Sequence, residues 1–177
     1  VANLRESGHA AELLKIPCKE YVLSDLLGSY CDFAELDLAH FDSVITGKYP
    51  AWAVNHPDHV VWMLHPLRGL YDRYPAHLAT ETPKRIDPDL GAALRLAARL
   101  HSVVGPLGPA LQEIRGHVQQ AQRRLGTDHP DLTIPSPAAR SIIRCIDHAA
   151  LSPTRIRTHA AISGDVTRRD GWFPVGA

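Results

Sequence analysis

Apolar and polar positions alternate between two periods along this chain, and the period changes mark its elements. Val60 to Leu64 is a continuous apolar run rich in β-formers. Bounded by His56-Pro57-Asp58 and His65-Pro66, it predicts a strand buried on both faces. Asp42 to Thr46 predicts a second strand ending at Gly47, with a short turn or helix over 49–54 between the two. Residues 10–17 read as a short strand closed by Pro17, and Thr158 to Ile162 as another strand. Helical spacing of Leu23, Leu26, Leu27, Tyr30, Ala34 and Leu38 predicts an amphipathic helix over 23–38, with Ser24 as its N-cap.

The later chain is richer in helix. Leu90, Leu94, Ala97, Leu100 and Val104 mark one helix, and Leu107, Leu111, Ile114, Val118 and Leu125 another. Gly105-Pro106 and Gly108-Pro109 separate them, so the two are expected to pack as an antiparallel hairpin. Residues 138–151 predict a further helix with Ile142, Ile143, Ile146 and Ala150 inward. Proline-bearing stretches at 74–89 and 127–137 are loops. Ser163-Gly164-Asp165 opens a last helix reaching about Asp170. Strand, helix, strand, short helix, strand implies an α/β fold with a parallel sheet.

Composition changes this picture in three ways. The 177 residues suit one domain with a sizeable core. Nineteen basic residues balance nineteen acidic ones, which argues against a nucleic-acid partner. Cys18, Cys31 and Cys145 are odd in number and lack metal spacing, so they read as reduced, buried small hydrophobes in a cytoplasmic protein. No apolar run approaches a membrane span. The only methionine is Met63, and Leu4 to Gly8 reads as a last helical turn and its stop, so the expectation is that the first strand is missing.

Candidate chemistry gathers after the Val60–Leu64 strand. In open parallel sheets, ligands bind beyond the carboxyl ends of the strands. His65, Arg68, Tyr71 and Asp72 stand there. A loop leaving a buried strand is also polar simply because it meets water, so both readings stand. His56 and His59 lack a third ligand at useful spacing, so no metal site is expected. GxSxG, Walker and GxGxxG signatures are absent. Ser163 stands where a strand runs into a helix N-terminus, a place that caps the helix and favours an anion. Arg140, Arg144, Arg155, Arg157, Arg168 and Arg169, interleaved with Asp147, Asp165 and Asp170, read as a solvated face. The sharper alternative is a peripheral membrane contact, each exposed basic residue contributing about 1 kcal/mol at an anionic surface.

Several of these stretches together resemble a known family. Gly8-His9…Ile16-Pro17, Asp42 to Trp52, His56-Pro57 and His65 to Asp72 are similar in order and spacing to the N-terminal domain of glycosyltransferase family four. Ile146-Asp147…Leu151-Ser152-Pro153…Ala161-Ile162-Ser163…Val166…Arg169 resembles the closing elements of that domain. These are retaining enzymes of the GT-B architecture. The resemblance implies a Rossmann-like parallel sheet flanked by helices, with a helical insertion near 75–135 that suggests a lid. It implies metal-independent transfer from a nucleotide-sugar to an acceptor. It makes His65 the catalytic-side residue, with Lys48, Tyr49, Arg68, Tyr71, Asp72 and Ser163 lining the substrate edge. The family's nucleotide-binding domain has no counterpart in these residues, so the chain alone is expected to transfer little or no sugar. The alternative is a non-catalytic Rossmann-like module that binds a glycan or a protein.

Overall fold

The computed structural model describes residues 1–79 and 86–161, with side chains described through Thr158 at the C-terminal end. Three short strands form one parallel sheet: β1 (Val44–Lys48), β2 (His59–His65) and β3 (Thr158–Ala161), in the order β1-β2-β3. The organising apolar run is therefore the central strand. Val44 to Thr46 pair with His59 to Val61, and Val60 to Met63 pair with Thr158 to Ala161. The segment at 10–17 is no strand: it has no ladder partner among the described residues, and Leu13 and Leu14 stay exposed.

The sheet is covered on one side. His59, Val61 and Met63 point into the core, whereas Trp62 and Leu64 point outward. No described helix covers Ile45, Trp62 and Leu64, which are 59%, 52% and 47% exposed. This corrects the expectation of a strand buried on both faces. A continuous apolar run fixes only that both faces are apolar; how many are covered depends on the neighbouring elements. On the inner face the Thr46 hydroxyl and His59 Nε2 pair at 2.8 Å, which satisfies two polar groups inside an apolar layer.

The helices are α1 (Ala2–Glu6), α2 (Leu23–Ala34), α3 (Ala76–Ala79), α4 (Pro88–Arg99), α5 (Gly108–Leu125) and α6 (Pro137–Ala150). α1 ends as the sequence predicts, with Gly8 at φ +87° just beyond it. α2 stops at Ala34, short of the predicted Leu38, because the Asp37 carboxylate takes the Ala39 N–H into a local turn. Its N-cap is Val22, and Ser24 lies buried inside the helix. α4 and α6 start on real caps: Asp87 accepts from the Asp89 and Leu90 N–H groups, and Ser136 from the Ala139 N–H. Each such cap contributes about 1 kcal/mol. A proline follows each cap, where its missing N–H costs nothing.

α4 packs on α5 and α6, and α5 packs on α2. Leu90, Ala93, Leu111, Ile114 and Val118 lie in the same core cluster as Leu26, Val61 and Ile143. The segment expected to protrude as a lid is thus part of the core. Its apolar seams were long enough to require a partner, and the partners are α2 and α6. Arg124 of α5 braces the α4 cap through Asp87 and Asp89, while His117 also meets Asp89. Trp52, on a single 3-10 turn (Ala51–Ala53), is buried between β1, α2 and α6.

Candidate functional site

The carboxyl ends of β1 and β2 form the rim to which the sequence points. The ladder is irregular there: Thr46 pairs with Val61, but Lys48 pairs with His65. Two steps on β1 thus span four on β2, and this bulge sets Lys48 beside His65. Gly47 sits at the irregularity, where an added Cβ would stand 3.3 Å from Leu64 Cδ1. A glycine inside a strand pattern is the sequence mark of such a bulge.

Lys48 Nζ lies 3.8 Å from Glu20 and 4.9 Å from the Tyr49 ring centroid. Glu20 also accepts the Tyr49 hydroxyl at 2.8 Å. Burial and this carboxylate push the Tyr49 phenol well above its ordinary range. Glu20 is a residue the sequence reading missed; it stands in an irregular segment with no periodicity to flag it. His65 is exposed, and its Nδ1 contacts the Pro66 carbonyl at 2.9 Å. A carbonyl only accepts, so Nδ1 carries the hydrogen, and in the neutral ring Nε2 carries the lone pair.

The loop after β2 divides its residues between two environments. Arg68 donates through Nε and Nη2 to one oxygen of Asp72, at 2.9 and 2.7 Å. Both side chains are nearly half exposed. The Arg68 guanidinium holds the Asp72 carboxyl below the usual carboxylate range. Tyr71 faces the other way. It is buried, and its hydroxyl donates to Asp147 Oδ2 at 2.7 Å. The Tyr30 hydroxyl donates to Asp147 Oδ1. Asp147 is fully buried, and desolvation pushes its carboxyl up to about 7 despite these two donors.

Three α6 residues at helical spacing hold this loop. Arg140 Nε donates to the Leu70 carbonyl at 3.2 Å and its guanidinium stacks 4.3 Å over Tyr74. Arg144 stacks 4.9 Å over Tyr71. Asp147 completes the row. The solvated arginine face expected from sequence is corrected for Arg140, Arg144 and Arg155, which are half-buried; Arg157 stays exposed, and Arg168 and Arg169 lie outside the described residues. Arg155 donates to the Val103 carbonyl and Arg157 to Asp58. The spacing of 140, 144 and 147 was visible, but their mixed charge hid their direction.

Of the predicted site residues, the structure brings Lys48 and His65 together at the rim and places Arg68 and Asp72 in the loop that follows. Tyr49 and Tyr71 are buried, with their hydroxyls committed to the half-buried Glu20 and the buried Asp147. Ser163 lies outside the described residues. His56 uses both ring nitrogens, on the Phe41 carbonyl and the Asp58 N–H. No group of three metal-ligating side chains occurs among the described residues. A cavity of about 260 Å³ lies elsewhere, lined by Tyr74, Leu78, Leu90, Leu94 and Arg140 among others, and by none of the predicted residues. No described helix is long and apolar enough to cross a membrane. No protein family, curated protein or solved structure matches this chain.

Proposed function

We propose that the chain is the acceptor-side portion of a retaining glycosyltransferase with a Rossmann-like, GT-B type sheet, and that a sugar docks on the rim at the ends of β1 and β2. The observation that carries this is the placement of Lys48 beside His65 on the paired parallel strands β1 and β2, with Arg68 and Asp72 in the loop that follows. His65 offers a lone pair at Nε2 to a sugar hydroxyl. Beyond their mutual bonds, Arg68 keeps further N–H donors and Asp72 its second carboxylate oxygen, a donor and an ionised acceptor side by side for vicinal hydroxyls. Lys48 offers positive charge for a diphosphate approaching from a facing nucleotide-binding domain, in cis or in trans. The reaction needs no metal in this reading. The donor's tight site belongs to that facing domain, so this chain alone transfers no sugar.

The test is incubation with labelled nucleotide-sugars and acceptors, alone and with a complementary nucleotide-binding chain. Turnover only in the reconstituted mixture, lost in His65→Ala, supports the reading. Robust turnover by this chain alone, or indifference of the mixture to His65→Ala, contradicts it. A second reading, a non-catalytic binding module, is favoured by the exposed apolar row Ile45, Trp62 and Leu64 on the outer sheet face. Ligand contacts on that row rather than on the rim would select it.

A further inference from the structure

The buried cluster behind the rim has a property that does not depend on what the rim binds. Asp147 on α6 is reached by two phenols from different elements, Tyr30 on α2 and Tyr71 on the loop after β2. All three side chains are buried. Each protonation state carries a cost. An ionised carboxylate accepts from both phenols, but it is then a charge in an apolar surrounding. The cation acting on it is Arg144, whose guanidinium lies over the Tyr71 ring. A protonated carboxyl is neutral, but its own O–H must be donated to one phenol oxygen, and that phenol's hydrogen then loses its acceptor. A carboxylate loses far more hydration on burial than a hydroxyl does. Relative to a wetted state, the closed cluster therefore favours the neutral acid, and any opening that wets Asp147 favours the anion.

We propose that Tyr30, Asp147 and Tyr71 form a proton-controlled latch: protonation of Asp147 holds the loop 66–74 closed on α6, and ionisation drives that loop to open toward water. The loop is the movable partner. It is irregular apart from one 3-10 turn (Arg68–Leu70), its outer side is exposed at Arg68, Asp72 and Arg73, and on its inner side Leu67, Leu70 and Tyr71 are buried while Arg140 of α6 donates to the Leu70 carbonyl. Tyr30, by contrast, sits mid-helix in α2. The other titratable groups that feel the cluster are Tyr49 and Cys18, both shifted upward chiefly by burial and therefore uncharged near neutral pH.

The sign follows from linkage. The Asp147 carboxyl titrates near 7 in the closed state and near the ordinary 3.8 once wetted. Opening is therefore suppressed at low pH, grows by up to about tenfold per pH unit between the two values, and levels off above neutrality.

Amide hydrogen exchange on the whole chain reads this directly, with rates corrected for the chemistry of exchange itself. The Leu70, Tyr71, Arg73 and Tyr74 amides are the probes, since each is hydrogen-bonded within the loop. The expected result is an opening constant that rises steeply from pH 5 to pH 7 and flattens beyond, at values larger than those of Ile114 and Val118 in α5. Asp147→Asn removes the titration and flattens the profile. A pH-independent loop, an unchanged profile in Asp147→Asn, or identical opening constants for the loop and α5 would each overturn the latch. Tyr71→Phe keeps the question open to test even if Asp147→Asn does not fold. Loss of one donor disfavours the anion, so the Asp147 carbon resonance must titrate at higher pH than in the wild type. An unmoved midpoint contradicts the proposal.

Discussion

Asp72 and Asp147 are two carboxylates held by hydrogen bonds to the same loop, and they shift in opposite directions. Asp72 lies at the exposed side, where the Arg68 fork favours its charge and holds its pKa low. Asp147 lies at the buried side, where two phenol donors fail to offset desolvation and its pKa rises to about 7. The number of donors is not what separates them, since each carboxylate receives two. The difference is the donor's charge and water: Asp72 meets a guanidinium near the surface and keeps its hydration, whereas Asp147 meets neutral phenols and is desolvated. One short loop thus presents an anion outward, at Asp72, and inward a phenol, at Tyr71, that donates to the proton-dependent carboxyl of α6.

The largest effect comes from removing the inner carboxylate. Asp147→Ala leaves two buried phenols without their acceptor and opens space beside Ile143 and Ile146. The expected loss is about 2–5 kcal/mol, measured by urea unfolding at pH 6. The pH dependence of the wild type comes next. Because the folded carboxyl binds its proton more tightly than the unfolded one, the stabilisation is full below about pH 4. It is lost as pH rises through about 7, by about 1.4 kcal/mol for each pKa unit. Urea midpoints at pH 5 and pH 8 check this, and Asp147→Asn should remove most of the difference. Asp72 carries the opposite sign: its contribution is present above pH 4 and fades in stronger acid.

Smaller effects sharpen the outer side. Gly47→Ala brings a methyl within 3.3 Å of Leu64, a partly exposed side chain free to yield outward. The expected stability loss is about 1 kcal/mol or less, with the clearest change in the resonances of Lys48 and His65. Arg68→Gln is the mildest of the set. It raises the Asp72 titration toward the ordinary carboxylate range and leaves the thermal midpoint nearly unmoved, as exposed ion pairs do. A titration of Asp72 that ignores Arg68→Gln would show that the guanidinium does not set it.

The same contrast explains what was legible in the sequence. Periodicity located α2, α4, α5, α6 and all three described strands, because burial writes itself directly into apolar spacing. The central place of Val60–Leu64 followed from its continuous apolar run. The open outer face did not, because Trp62 and Leu64 are as apolar as Val61 and Met63. The candidate rim was legible in part: Lys48, His65, Arg68 and Asp72 are polar residues at strand ends and stay there. Tyr71 was misleading because a tyrosine serves equally at a surface or in a core. Asp147 was the hardest case. Its neighbours Arg144 and His148 make it look solvated, and only the meeting of α2, α6 and the loop shows where its carboxyl points. Glu20 had no local pattern to mark it at all.

The proposed docking place for a sugar is the outward half of this loop with the strand ends beside it. An NMR titration of the isotopically labelled chain with a panel of oligosaccharide acceptors tests it most directly. The prediction is shifts concentrated at Lys48, His65, Arg68 and Asp72 and absent from Ile45, Trp62 and Leu64, with affinity reduced at least tenfold in Arg68→Gln. Shifts confined to the outer sheet face, or none at the rim with any acceptor at millimolar concentration, would contradict it.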